Sequence, residues 1–189
     1  MTATLQLRLA GPAPGESYLF MKWLSKRYGT HVAEIKLRVG NADLFDRLLA
    51  MEFADEGGLV RVAAPFPEPA AAPAVVREAL LRRIDGAMVV LARAREAVED
   101  NANAVQQFVP HLNTIGIEPV VVMNDSTRGG AKTALSAAAA AGELRLGSPV
   151  YDTMLGPLRG PLEYDDGVEA AWSILLEKGR KRRGATAYR

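Results

Sequence analysis

No cysteine occurs in the 189 residues of this chain, and histidine occurs only twice. The first absence excludes disulfides and thiolate metal centres and fits a reducing compartment. The second leaves a histidine metal cluster or a Ser/His pair little to build from, so His31 and His111 read as surface or loop residues and no metal is expected. No apolar run long enough to span a bilayer and no signal-peptide pattern is present, so the expected location is the cytoplasm. Aromatic residues make up only 6% of the chain, and none interrupts the basic stretch Lys178–Arg183; specific nucleic-acid binding is therefore not expected. What is present is a soluble composition, 49% hydrophobic and 24% charged, at a length suited to one compact α/β domain.

The net charge of +1 conceals an asymmetry. Of 23 basic residues, six (Lys178, Arg180, Lys181, Arg182, Arg183 and Arg189) fall within 178–189, a stretch without acids, and the other 17 face 22 acids. The expected organisation is a domain over 1–177 followed by a basic tail over 178–189. Such a tail suits an acidic partner or an anionic membrane surface. The alternative is a helix end whose cations oppose the negative pole of the macrodipole.

The segment Gly11-Pro12-Ala13-Pro14-Gly15-Glu16-Ser17 is the most informative in the chain. It follows a strand pattern, Leu5, Leu7 and Leu9 with polar residues between, and precedes a helical one in which Tyr18, Met21, Trp23 and Leu24 mark a buried face. Strand, glycine loop and helix form the layout of a phosphate-binding loop, which reads G-x-x-x-x-G-K-[ST] and uses its lysine on the terminal phosphates. Here the loop is one residue short and Glu16 stands in the lysine's place. Pro12 and Pro14 remove two backbone donors. Exchanging lysine for glutamate turns an attraction into a repulsion, each about 1 kcal/mol at about 4 Å in water and about 4 kcal/mol at an intermediate dielectric. A loss of several kcal/mol lowers phosphate affinity about a thousandfold or more. Ser17 keeps its type, as a helix N-cap or, alternatively, as a magnesium ligand.

Apolar runs and helical stretches alternate thereafter, which predicts a mainly parallel sheet with helices on both faces. Ala87–Leu91 and Pro119–Met123 read as central strands buried on both sides. Leu44–Phe53 and Leu59–Ala64, joined by a turn-rich connection, read as an antiparallel hairpin that adds one antiparallel edge strand. Helices are predicted over Gly15–Arg27, Ala70–Arg83, Arg95–Thr114, Ala131–Ala141 and Asp166–Lys181. The third carries Val98, Val105, Phe108, Val109 and Leu112 on its core face, and the last carries Val168, Ala171, Trp172 and Leu175. The proline-rich Pro65–Pro73 reads as an extended, semi-rigid surface loop.

In strand order, loop position and wording the chain resembles the small Ras-like GTPases, most closely the bacterial MglA type, over most of its length. Leu7–Ser17 is similar to the family's first strand and loop, and Met21–Tyr28, with Lys22-Trp23, to its first helix. Arg82–Val90 resembles the segment entering the fourth strand, Glu99–His111 the helix after it, and Pro119–Asn124 the strand that ends in the guanine-reading N-K-x-D motif. The resemblance implies a three-layer fold, with a mostly parallel sheet of about six strands. The departures fall on the chemistry. Asn124 survives from N-K-x-D, but Asp125, Ser126 and Thr127 follow it in the wrong order. Pro65-Phe66-Pro67-Glu68 replaces the switch proline-glycine pair, so no glycine lets the backbone approach a phosphate. The closing S-A-type loop is not recognisable around Tyr151–Gly156.

Damage to three motifs together implies a pseudo-GTPase, a non-catalytic interaction module without a cofactor. The remnant pocket would comprise Gly11, Gly15, Glu16, Ser17, Asn124 and Asp125. The expected contact surface is Pro65, Phe66 and Pro67, a rigid segment that loses little entropy on binding. The resemblance points to a Roadblock/LC7-domain protein or a related GTPase as partner, in bacterial cell polarity or motility. Two alternatives stay open. One is nucleotide binding through Ser17, loop N–H groups and a cation from elsewhere such as Lys132. The other is an unrelated α/β enzyme using strand-end carboxylates such as Glu16 and Asp125.

Overall fold

A computed structural model of the chain describes residues 4–12, 14–39, 42–66, 83–126, 136–157 and 160–187. Its strands are β1 (Leu5–Ala10), β2 (Ala33–Val39), β3 (Ala42–Asp55), β4 (Gly58–Phe66), β5 (Gly86–Ala92), β6 (Val120–Asp125), β7 (Val150–Gly156) and β8 (Glu163–Tyr164). Its helices are α1 (Pro14–Tyr28), α2 (Val98–Thr114, after a 3-10 turn at Arg95–Ala97), α3 (Ala137–Glu143) and α4 (Asp166–Ala187).

The continuous apolar sequences of β5 and β6 are explained by their position. Every residue of both strands is buried, because they lie at the centre of a sheet ordered β2-β3-β4-β1-β5-β6-β7-β8. From β4 to β7 the pairing is parallel. The hairpin read at the sequence level is present as β3 and β4, antiparallel from Asp55↔Gly58 to Arg47↔Phe66. The α/β class and mostly parallel sheet are as expected, with eight strands among the described residues rather than about six. The extra strands sit mostly at the edges: β2 runs antiparallel outside β3, and the two-residue β8 antiparallel outside β7.

Helices cover both faces. On one side α1 and α4 pack Phe20, Trp23, Leu24, Trp172 and Leu175 against Leu5, Leu7 and Leu9 of β1. On the other, α2 packs Val105, Phe108 and Leu112 against Val89, Leu91, Val121 and Met123, with Ala140 of α3 beside them. Burying side chains of this size contributes about 1.5–3 kcal/mol each. Trp172 Nε1 donates to the Tyr28 hydroxyl at 2.9 Å, and Tyr28 stacks on Phe53 with ring centres 3.8 Å apart, tying α4, α1 and β3 together. Tyr18, expected on the buried face of α1, is 38% exposed; Leu19 and Phe20 take that place, one and two positions round the helix.

Residues 178–187 of the basic segment are helical. The boundary expected at 177/178 falls inside α4, which continues to Ala187. Gly179 approaches β1 so closely that a Cβ there would lie 3.1 Å from Leu7 Cδ2. Lys178 pairs with Glu118 at 2.8 Å, Arg180 with Asp55, and Arg182 donates to the carbonyls of Ile115 at 2.8 Å and of Gly116. The cations fasten the helix to loops at the N-terminal edge of the sheet, in keeping with the helix-end alternative. Residues 70–82 of the second expected helix and 131–135 of the fourth, Lys132 among them, lie outside the described residues. No helix among those described is long and apolar enough to cross a membrane.

Candidate functional site

The glycine loop ends at the carboxyl edge of the sheet, where β1 gives way to α1. Pro14 begins the helix; its fixed φ and missing N–H suit a first-turn position. The helix therefore starts earlier than a phosphate loop of full length would allow. Ser17 consequently lies within the first turn, 1% exposed, and is not an N-cap. Gly11 is a position where backbone must approach backbone: a Cβ there would collide with the carbonyl oxygen of Val90 in β5.

Glu16 points into the edge crevice and is 7% exposed. Its Oε2 accepts from Asn124 Nδ2 at the end of β6. Its Oε1 accepts from Ser126 Oγ at 2.8 Å. Asn124 also donates to the Leu155 carbonyl of β7 at 3.0 Å and accepts from Thr153 Oγ1 at 3.1 Å. One buried carboxylate thus joins α1, β6 and β7 through a network in which Asn124 is satisfied on both its amide oxygen and its amide nitrogen. Burial raises the Glu16 pKa, opposed by the hydrogen bonds from Asn124 and Ser126, and the neighbouring Asp125 raises it further.

Of the residues singled out from sequence, the structure brings Glu16, Asn124 and Asp125 together beside Gly15 and Ser17 of α1 and the loop residue Gly11. It does not bring Pro65 and Phe66 to them as a surface loop. Their backbone closes β4, with Pro65 opposite Leu48 and Phe66 opposite Arg47, because the antiparallel ladder with the long β3 continues through them. Pro67 and the rest of Pro65–Pro73 lie outside the described residues.

Four participants were not read from sequence. Ser126 and Thr153 complete the Glu16–Asn124 network. Arg93, just beyond β5, gives its N–H to the Asn124 carbonyl at 2.9 Å and its guanidinium to Asp152. Asn101 of α2 clamps the end of β5, donating to the Ala92 carbonyl at 2.8 Å and accepting from its N–H at 3.1 Å. A signal for β7 was available: Val150-Tyr151-Asp152-Thr153 is rich in strand formers and bounded by Pro149 and Gly156.

Chemically, a helix N-terminus attracts an anion, and here the chain supplies that anion from its own first turn. A carboxyl with a raised pKa beside a second carboxylate could serve as a general acid. Both Glu16 oxygens, however, are already engaged by protein donors. Cavities of about 840, 720 and 480 Å³ lined by described residues open at the other edge of the sheet. No protein-family model matches the chain and no curated protein matches it, so the resemblance to small GTPases stands on the residues quoted above.

Proposed function

We propose that this chain is a pseudo-GTPase: a non-catalytic interaction or regulatory module in the cytoplasm, built on a small-GTPase-like scaffold. The observation that carries this reading is the Glu16 carboxylate, which stands where the phosphate-binding lysine would and is hydrogen-bonded to Asn124 and Ser126. A phosphate approaching α1 would meet negative charge and donors already in use. With α1, β6 and β7 cross-linked through one side chain, the crevice has no need of nucleotide to hold its shape, and the module presents a single conformation. Its partner on this reading is a protein, a Roadblock/LC7-domain protein or a related GTPase, in cell polarity or motility, met through the face around Pro65–Pro67.

Calorimetry with GTP, GDP and ATP in magnesium, together with assay of nucleotide released on denaturation, tests the reading. The expected result is no purine-dependent binding up to millimolar nucleotide and none co-purifying. Micromolar binding of GTP or GDP that tracks the guanine base would overturn it.

One observation favours a second reading, nucleotide binding through a non-standard cation. Arg93 lies at the carboxyl edge beside Asn124, and its Nε is buried without a hydrogen-bond partner among the described residues. If guanine nucleotide binds and Arg93→Ala abolishes the binding, this reading replaces the first.

A further inference from the structure

At the edge of the sheet remote from Glu16, a cleft of about 480 Å³ is lined by Thr4, Gln6, Arg83, Asp85, Arg182 and Arg183, with Ile84 beside them. The start of β1 supplies Thr4 and Gln6, the turn before β5 supplies Arg83 and Asp85, and the final turns of α4 supply Arg182 and Arg183. Three arginines and one aspartate therefore line one cleft. The aspartate is engaged from both sides: Asp85 Oδ2 accepts from the Gln6 N–H at 2.7 Å and from Arg183 at 3.4 Å.

Two of the three arginines are held in place. Arg182 is anchored on the carbonyls of Ile115 and Gly116, and Arg183 on Asp85. Arg83 differs. It is exposed, makes no hydrogen bond or ion pair with another described residue, and has φ 58°. That left-handed conformation suits glycine and is strained for a long side chain. A non-glycine residue kept in such a conformation is a pointer to function where the surroundings supply a use for it. Here the surroundings are two fixed guanidinium groups across a concave floor. A guanidinium fork matches the geometry of phosphate oxygens, and anchored arginines lose less freedom on binding.

We propose that this cleft binds the phosphoryl group of an anionic ligand, with Arg83 closing over it from the β5 side and Arg182 and Arg183 receiving it from α4. A groove of about 840 Å³ adjoins it, sharing Asp85 and Arg182; its floor includes Ile115, Ile117, Ile174 and Leu175, and Lys178 and Lys181 lie along it. That groove gives the remainder of the ligand an amphipathic bed. The phosphoryl group can come from a soluble phosphate compound or from a lipid headgroup.

The test uses the full chain and two probes: inorganic pyrophosphate, followed by backbone-amide shifts, and co-sedimentation with phosphatidylcholine vesicles with and without phosphatidylglycerol. Binding of pyrophosphate assigns a soluble source, and binding confined to the phosphatidylglycerol vesicles assigns a headgroup. In either case Arg83→Gly weakens binding at least about tenfold, as loss of a charged hydrogen-bonding partner does. Because glycine accepts the left-handed backbone, the same substitution leaves the melting temperature unchanged or raises it by a few degrees. Arg83→Lys, with the charge but not the fork, falls between. Failure of the wild type to bind either probe, or Arg83→Gly binding as tightly as wild type, overturns the proposal. Nucleotide binding that Arg83→Gly abolishes belongs to this cleft; binding that survives it belongs to the crevice at Glu16, so the two sites are told apart.

Discussion

The side-chain amide of Asn124 donates to the Glu16 carboxylate across 108 positions of sequence, and this contact fastens the start of α1 to the end of β6. On the proposed reading, these are the places of the phosphate-binding lysine and the base-reading asparagine of a small GTPase. The two side chains are bonded to each other, and Ser126 occupies the second carboxyl oxygen of Glu16.

The pH dependence of stability follows from Glu16. Its pKa is raised above the ordinary 4.5, so the folded chain holds a proton at pH values where the unfolded chain has released it. The associated stability is fully present below about 4.5 and is lost as pH rises through the raised value. Urea unfolding across this range should show wild type losing stability relative to Glu16→Gln, which has no proton to release. A constant difference between the two proteins would contradict the assignment.

Asn124→Ala removes a donor to both Glu16 and Leu155 and an acceptor for Thr153. Leaving buried polar groups unsatisfied costs roughly 1–3 kcal/mol, and the same loss is expected in the denaturant midpoint with the slope unchanged. Thr153→Val, which removes one hydroxyl at the periphery of the network, should cost less.

Gly11→Ala places a methyl group against the Val90 carbonyl. The obstacle is backbone of the central strand β5 and Gly11 directly follows β1, so relief requires the backbone to shift, and overpacking of this kind costs about 1–3 kcal/mol. Thermal melts should fall by about 2–4 °C per kcal/mol for a chain of this size. Gly142→Ala, where a Cβ meets nothing within 4 Å, serves as the control and should not lower the melting point.

Truncation after Glu177 separates a tail from a helix end. A dispensable tail would leave the melting temperature unchanged. Loss of Gly179 from its seat on Leu5 and Leu7, and of the Lys178–Glu118, Arg180–Asp55 and Arg183–Asp85 pairs, should instead lower it clearly. Adding salt to the full chain should reproduce only a minor part of that loss, because exposed ion pairs contribute little individually and the packing of α4 is not screened.

The central strands were legible because burial on both faces leaves a local mark, the apolar runs at Ala87–Leu91 and Pro119–Met123. The β3–β4 hairpin was legible from its turn, and the core faces of α2 and α4 from their periodicity. β2 was not, since an edge strand carries a mixed sequence that pattern alone does not separate from loops; β7 carries its signal only in the short run Val150–Thr153. Nor was the role of Ser17: one proline in the loop moved the helix start and turned an expected cap into a buried first-turn residue.

The sequence by itself determined the α/β class, the central strands and the presence of glutamate where a phosphate-binding loop carries lysine, because each is written within a few consecutive residues. Only the tertiary structure decided what that glutamate does. Its partners come from β6 and the residue after it, more than a hundred positions away in the chain, and Asn124 in turn is held by β7; only the parallel ladder β1-β5-β6-β7 brings their ends to one edge. The same holds for the basic segment, in which Lys178, Arg180, Arg182 and Arg183 look free in the sequence and are matched in the fold with acids and carbonyls from three separate loops. Local chemistry is readable where it is local; which charge meets which depends on the order in which the strands pair.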